Sequence, residues 1–198
     1  MSLHWSPSLG AHVHILRPSN FYIVKECEVI STILGSCVAV CLRDTQKKIG
    51  GMNHFLLPYK SDDRLMHWPS DYQTDQLRYG DISMELLINE LVAKGAQRNF
   101  LEAKVFGGAS MIESSISVGE CNITFAREYL ATEEIPIVAE DIGGFNARKI
   151  IYNVKSGNVD RYLISTTEQK DVTSEENAYY QRIINHPVNS KIDYLDDN

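Results

Sequence analysis

Two residues in the stretch from 31 to 58, Cys37 and His54, are of the types that make a nucleophile and its base. A cysteine thiol titrates near 8.5, so only a small fraction is thiolate at neutral pH. A neighbouring imidazole can take the proton and leave a thiolate–imidazolium pair. The thiolate attacks an acyl carbon, and the imidazolium then protonates the leaving group. Gly35 permits a tight turn before the nucleophile. Backbone N–H groups near that turn could form an oxyanion hole. Ser31 and Thr32 lie close by, and a hydroxyl there could orient the imidazole.

Such chemistry requires elements that bring the two side chains together. Cys37 to Arg43, CVAVCLR, is a short valine-rich apolar run and reads as a strand. DTQKK is polar and turn-like, and IGGMNHFLLP is apolar again, so the pattern predicts an antiparallel hairpin. With Asp44 starting a four-residue loop that ends at Lys47, Arg43 faces Lys48. Counting outward then sets Cys37 directly opposite His54, with Cβ atoms roughly 4.5–5.5 Å apart. A slip of one residue would separate them onto opposite faces, and the Gly50-Gly51 pair could add a bulge.

Other readings of these residues stand beside this one. Cys27, Cys41 and Cys121 read as small core hydrophobes, and Cys37 on its own reads only slightly better as one than as a nucleophile. His54 on its own reads as a hydrogen-bonded core histidine. As members of one strand, Cys37 and Cys41 would stand roughly 13 Å apart, too far for a disulfide or a shared zinc. In a helix, Ser36 would be the N-cap, the two cysteines would approach, and Cys37 would gain acidity from the helix N-terminus. A redox or metal protein using Cys37, Cys41 and His54 is therefore a third hypothesis, after an enzyme and an adaptor.

In order along the chain, LGSCVAVCLRD, GGMNHFLLP, RYGDISMELLINEL, LEAKVFGGASM and AEDIGG resemble the chemoreceptor glutamine deamidase family, CheD. The resemblance runs from about residue 27 to about residue 165. It implies that Cys37 is the nucleophile and that His54, seventeen residues later, is its base. The family's third residue is a threonine six positions before the cysteine. That position is Ser31, with Thr32 beside it, so Ser31 takes the third role and Thr32 is the alternative. The implied reaction converts selected glutamines of methyl-accepting chemotaxis receptors to glutamate, releasing ammonia. Hydrolysis of receptor glutamyl methyl esters would use the same thioester. Some family members bind a CheC-type phosphatase, so an adaptor that acts by docking to receptors or to CheC is the alternative function.

The remainder of the chain supplies the frame. Its 198 residues suffice for one domain with a proper core, expected over 1–165, with a polar, acidic tail over 166–198. A net charge of −7 gives no footprint for nucleic acid. Four scattered cysteines do not form a secreted disulfide framework and read as reduced cytoplasmic thiols. No apolar stretch approaches a membrane span, and MSLHWSPSLG does not look like a signal peptide. Neither a GxGxxG nor a Walker pattern is present, and no cofactor or metal is expected.

Residues 1–20 read as a lead-in, with His12 and His14 on a short exposed strand, and 21–32 as strand material. Residues 59–80 read as a long loop in which His67 and Trp68 could border a substrate groove. A helix is expected from an Asp81 cap to a Gly95 stop, with Ile82, Leu86, Leu87 and Leu91 at helical spacing. A second is expected over 119–132, with Ile123, Ala126 and Leu130 on one face. Between them LEAKVFG alternates as a half-buried strand; Gly107-Gly108 after it allows a close backbone approach or a turn. IPIVAEDIGG is another strand, and ARKIIYNV with VDRYLI a closing hairpin. A further helix is placed around Glu175 to Ile184. The fold class is α+β: mainly antiparallel or mixed sheets, sandwich-like, with helices outside.

Overall fold

The computed structural model describes residues 2–24, 28–56, 80–110 and 118–165, together with 169, 171, 172, 174 and 178. Ten strands and two α-helices form among them. The strands are β1 (Ser2–Ser6), β2 (Ala11–Ile15), β3 (Asn20–Ile23), β4 (Glu28–Leu34), β5 (Val38–Asp44) and β6 (Gly50–His54), then β7 (Leu101–Gly107), β8 (Ile137–Ile142), β9 (Arg148–Asn153) and β10 (Asn158–Leu163). The helices are α1 (Gly80–Ala93) and α2 (Val118–Thr132).

The strands divide into two five-stranded sheets, ordered β1-β2-β4-β9-β10 and β3-β6-β5-β7-β8. Each sheet is antiparallel except for one parallel pair, β2 with β4 and β7 with β8. The architecture is the expected α+β class. The stretch 21–32 does not form a single unit: β3 joins the second sheet and β4 the first. The lead-in supplies β1 and β2 to the first sheet, and His14 is buried, its ring stacked on Tyr22.

Strand alternation makes three layers. Val38, Val40 and Leu42 of β5 face the helices, where they pack with Met84, Leu87, Ile88 and Leu91 of α1 and Ile123, Phe125, Ala126 and Leu130 of α2. Each fully buried Leu or Ile there contributes roughly 1.5–3 kcal/mol. The alternate residues Ala39 and Cys41 face the other way, against Ile30 and Leu34 of β4 and Ile150 and Tyr152 of β9. The second sheet is thus the middle layer, buried on both faces, so its strands read as continuous apolar runs. The outer face of the first sheet carries a smaller cluster of Ala11, Val13, Val29 and Ile151.

Both helices lie where expected. The buried stripe of α1 is Met84, Leu87, Ile88 and Leu91, whereas Leu86 is exposed. Gly95, at φ +96°, ends the helix, with its N–H on the Val92 carbonyl and the Ala96 N–H on that of Leu91. The loop at 59–80, with His67 and Trp68, lies outside the described residues apart from Gly80. Of the tail helix expected over 175–184, Ala178 is helical and the others lie outside them.

Candidate functional site

The β5–β6 hairpin forms, but with a different register. Asp44 is the last residue of β5, not the first of the turn, and its N–H bonds the Ile49 carbonyl. Its Oδ1 accepts the N–H groups of Gln46 and Lys47, and Oδ2 that of Gln97. Burial pushes the Asp44 carboxyl up, but these backbone donors and the Lys47 charge outweigh it and hold it below the usual range. The loop is therefore 45–48, and Arg43 pairs with Gly50 instead of Lys48.

This is a shift of two residues, which preserves the face. The register is the same at Cys41↔Met52 and at Val38↔Phe55, so no bulge intervenes and His54 falls opposite Ala39. Cys37, just before β5, is a diagonal neighbour of His54, not its direct partner. Diagonal positions on one face stand roughly 7–8 Å apart at the backbone, within reach of a long side chain. Both side chains lie between the sheets, Cys37 among Leu34, Ala39, Leu56 and Phe106.

The hydroxyl that meets the imidazole belongs to Thr32, whose Oγ1 is 2.8 Å from His54 Nδ1. Ser31 pairs with Ile15 and Ile151, on the face of β4 that carries Val29, and points away from the seam. The sequence reading favoured Ser31, but β4 turns its neighbour inward. The Thr32 hydroxyl donates its single proton to the Leu16 carbonyl, 2.8 Å away. It can only accept from His54, which fixes the proton on Nδ1 and leaves Nε2 unprotonated. Nε2 is buried and bonds no described residue.

The surroundings set the electrostatics. Cys37, His54 and Thr32 are each 2 % exposed or less. Burial pushes the His54 pKa down to about 3. The imidazole is therefore neutral at physiological pH, ready to accept a proton, and not the standing imidazolium of an ion pair. The sulfur and ring lie beneath the surface. Cys41, facing the same layer, is fully buried and its thiol is pushed far up by desolvation, which makes it inert as a nucleophile.

The turn that carries Cys37 is gripped from the helix side. The carbonyls of Gly35, Ser36 and Cys37 accept in turn from Ala109 N–H at 2.8 Å, Asn122 Nδ2 at 3.1 Å and Gly108 N–H at 2.7 Å. Gly107-Gly108 thus makes its close approach to the chain carrying Cys37. Gly107 has φ +108°, and a Cβ there would lie 2.2 Å from the Cys37 carbonyl oxygen. Sequence reasoning missed Asn122. The readable signal was a polar residue four positions before Ala126, on the apolar stripe of α2.

A two-sheet α+β protein with a thiol, an imidazole and a hydroxyl at the seam between sheets is thereby defined. The family described as CheD chemotactic sensory transduction matches residues 56–161. Similar proteins include one from Halorhodospira halophila, 37% identical over 96% of this chain and 88% of its own length. One from Hydrogenovibrio crunogenus is 38% identical over 94% and 96%, and one from Caulobacter vibrioides 41% identical over 82% and 83%. Each bears the name "Probable chemoreceptor glutamine deamidase CheD". The chain belongs to the CheD family. No helix among the described residues is long and apolar enough to cross a membrane.

Proposed function

We propose that the chain is a cysteine-dependent protein-glutamine deamidase acting on chemotaxis receptors. The observation that carries the mechanism is the Thr32–His54 contact, which presents an unprotonated Nε2 inside the same seam as Cys37. The substrate class comes from the names of the relatives.

Cys37 Sγ attacks the δ-carbon of a glutamine side chain as its proton passes to His54 Nε2. The tetrahedral adduct collapses, the C–N bond breaks, and the imidazolium gives its proton to departing ammonia. Nε2 then takes a proton from water, whose oxygen attacks the thioester. The C–S bond breaks, the proton returns to sulfur, and glutamate is left. With His54 neutral at rest, thiol deprotonation accompanies attack. Burial suits a long, flexible glutamine side chain reaching into the seam while the receptor helix stays outside. A glutamyl methyl ester would form the same thioester, with methanol leaving. Docking to a CheC-type phosphatase rests on the family resemblance.

The test is ammonia release and receptor mass with wild type, Cys37→Ala and His54→Ala. Wild type is expected to add about one mass unit per converted glutamine, and both variants to add none. Equal activity in Cys37→Ala would defeat the nucleophile assignment. Receptor binding without turnover by wild type would favour the adaptor.

A further inference from the structure

Asn122 of α2 is fully buried, and its Nδ2 donates to two carbonyls, Ser36 at 3.1 Å and Leu56 at 2.9 Å. Ser36 immediately precedes Cys37, and Leu56 lies two residues after His54. The last backbone pair between β5 and β6 is Val38↔Phe55, so Ser36 and Leu56 lie just beyond the end of the ladder. One side-chain amide therefore joins the chain that carries the thiol to the chain that carries the imidazole, where backbone pairing no longer does so.

We propose that Asn122 is a positioning residue for the deamidation, setting the approach of Cys37 Sγ to His54 Nε2; this rests on the reading of Cys37 and His54 above. Two consequences follow from the geometry. The amide fixes the separation of the two chains, and the diagonal Cys37–His54 relation depends on that separation. It also fixes the Ser36–Cys37 peptide plane. Because that peptide is planar and trans, holding the Ser36 carbonyl toward α2 aims the Cys37 N–H away from it. Both amide hydrogens of Asn122 are engaged, and no other residue of that size offers two donors: aspartate has one when protonated and none when ionised. A mere tie between helix and sheet would need one contact to either strand; this side chain contacts both, at the residues flanking the chemistry.

The experiment uses the full chain with Asn122→Ala and Asn122→Asp, assayed below their melting temperatures. For Asn122→Ala, kcat is expected to fall by roughly 10–100-fold with KM within about twofold, as for a misplacement of about 1 Å. Asn122→Asp keeps one donor when protonated and repels both carbonyls when ionised. Its activity relative to wild type should therefore rise as pH falls through its own titration. A second readout needs no turnover: in 15N-histidine-labelled protein, Asn122→Ala should shift the His54 Nε2 resonance and leave the Thr32-bonded Nδ1–H in place. Unchanged kcat and an unchanged Nε2 resonance, with only a lower Tm, would make Asn122 a structural tie and overturn the proposal. Absence of ammonia release by wild type would defeat the deamidase reading instead, and the Nε2 resonance would still decide the role of Asn122.

Discussion

The Thr32 hydroxyl bridges the two sheets, donating to the Leu16 carbonyl and accepting the His54 Nδ1–H, each over 2.8 Å. One proton on one oxygen thereby decides which imidazole nitrogen is left unprotonated. Thr32→Val keeps the shape and removes the acceptor, leaving a buried Nδ1–H unpaired or the proton moved to Nε2. The shifted proton blocks transfer from the thiol, and the unpaired Nδ1–H leaves the ring without the contact that orients it. We expect kcat to fall by roughly 100-fold or more, with Thr32→Ser recovering most of it. Ser31→Ala, on the other face of β4, should stay within about twofold of wild type. Steady-state ammonia release on the three variants decides; a large loss in Ser31→Ala would return the third role to Ser31.

A histidine held neutral by burial makes the fold sensitive to acid. The folded pKa of about 3 lies below the unfolded value of 6.5. Between those values the unfolded chain binds a proton that the folded protein refuses, so stability rises with pH across that window and falls on acidification. The contribution is full above about pH 6.5 and is lost progressively toward pH 3, with a size of order several kcal/mol. Thermal unfolding of wild type and His54→Gln from pH 7 to pH 4 tests this. Wild-type Tm should fall more steeply, and parallel curves would refute it. The acid limb of kcat/KM should correspondingly lie below the value for a solvated imidazole.

Gly107 permits the grip on the turn that carries Cys37. Its φ of +108° disfavours any side chain, and a Cβ would collide with the Cys37 carbonyl oxygen. Gly107→Ala must move either β7 or the turn. We expect a loss of roughly 1–3 kcal/mol and a larger fractional loss of kcat than of soluble yield. Chemical denaturation and turnover on the same preparation check it. Wild-type kcat in a folded Gly107→Ala protein would show that the turn is held without this contact.

The limits of sequence reading are local. The common face of Cys37 and His54 was legible because face depends on the parity of the loop count, and an error of two leaves parity intact. Register was not, because Asp44 reads equally as a strand end capped by its own carboxylate or as the first turn residue. Ser31 and Thr32 could not be ranked from periodicity: Val29 and Ile33 accompany one parity, Ile30 and Leu34 the other. Only the packing of β4 against a second sheet chooses. The split of 21–32 between sheets was hidden for the same reason, since strand propensity does not say which sheet a strand joins. Burial of the site was hidden too, because it arises where two sheets meet.

Asn53, next to His54, carries the last prediction. It is fully buried, and its Oδ1 accepts the Val40 N–H at 2.9 Å while Nδ2 meets Met84 Sδ at 3.2 Å. A side-chain oxygen thus serves the β5 backbone within the ladder, one residue from the imidazole. Asn53→Leu keeps the volume and removes the acceptor. A buried N–H left unpaired costs about 1–3 kcal/mol, and for a chain of this size each kcal/mol lowers Tm by roughly 2–4 °C. Amide hydrogen exchange reads the site directly: Val40 should be protected in wild type and lose that protection in Asn53→Leu. If Val40 stays protected and Tm is unchanged, the strands have rezipped through the backbone and Asn53 is dispensable to the hairpin. Loss of protection with retained kcat would instead separate the integrity of this ladder from the placement of His54.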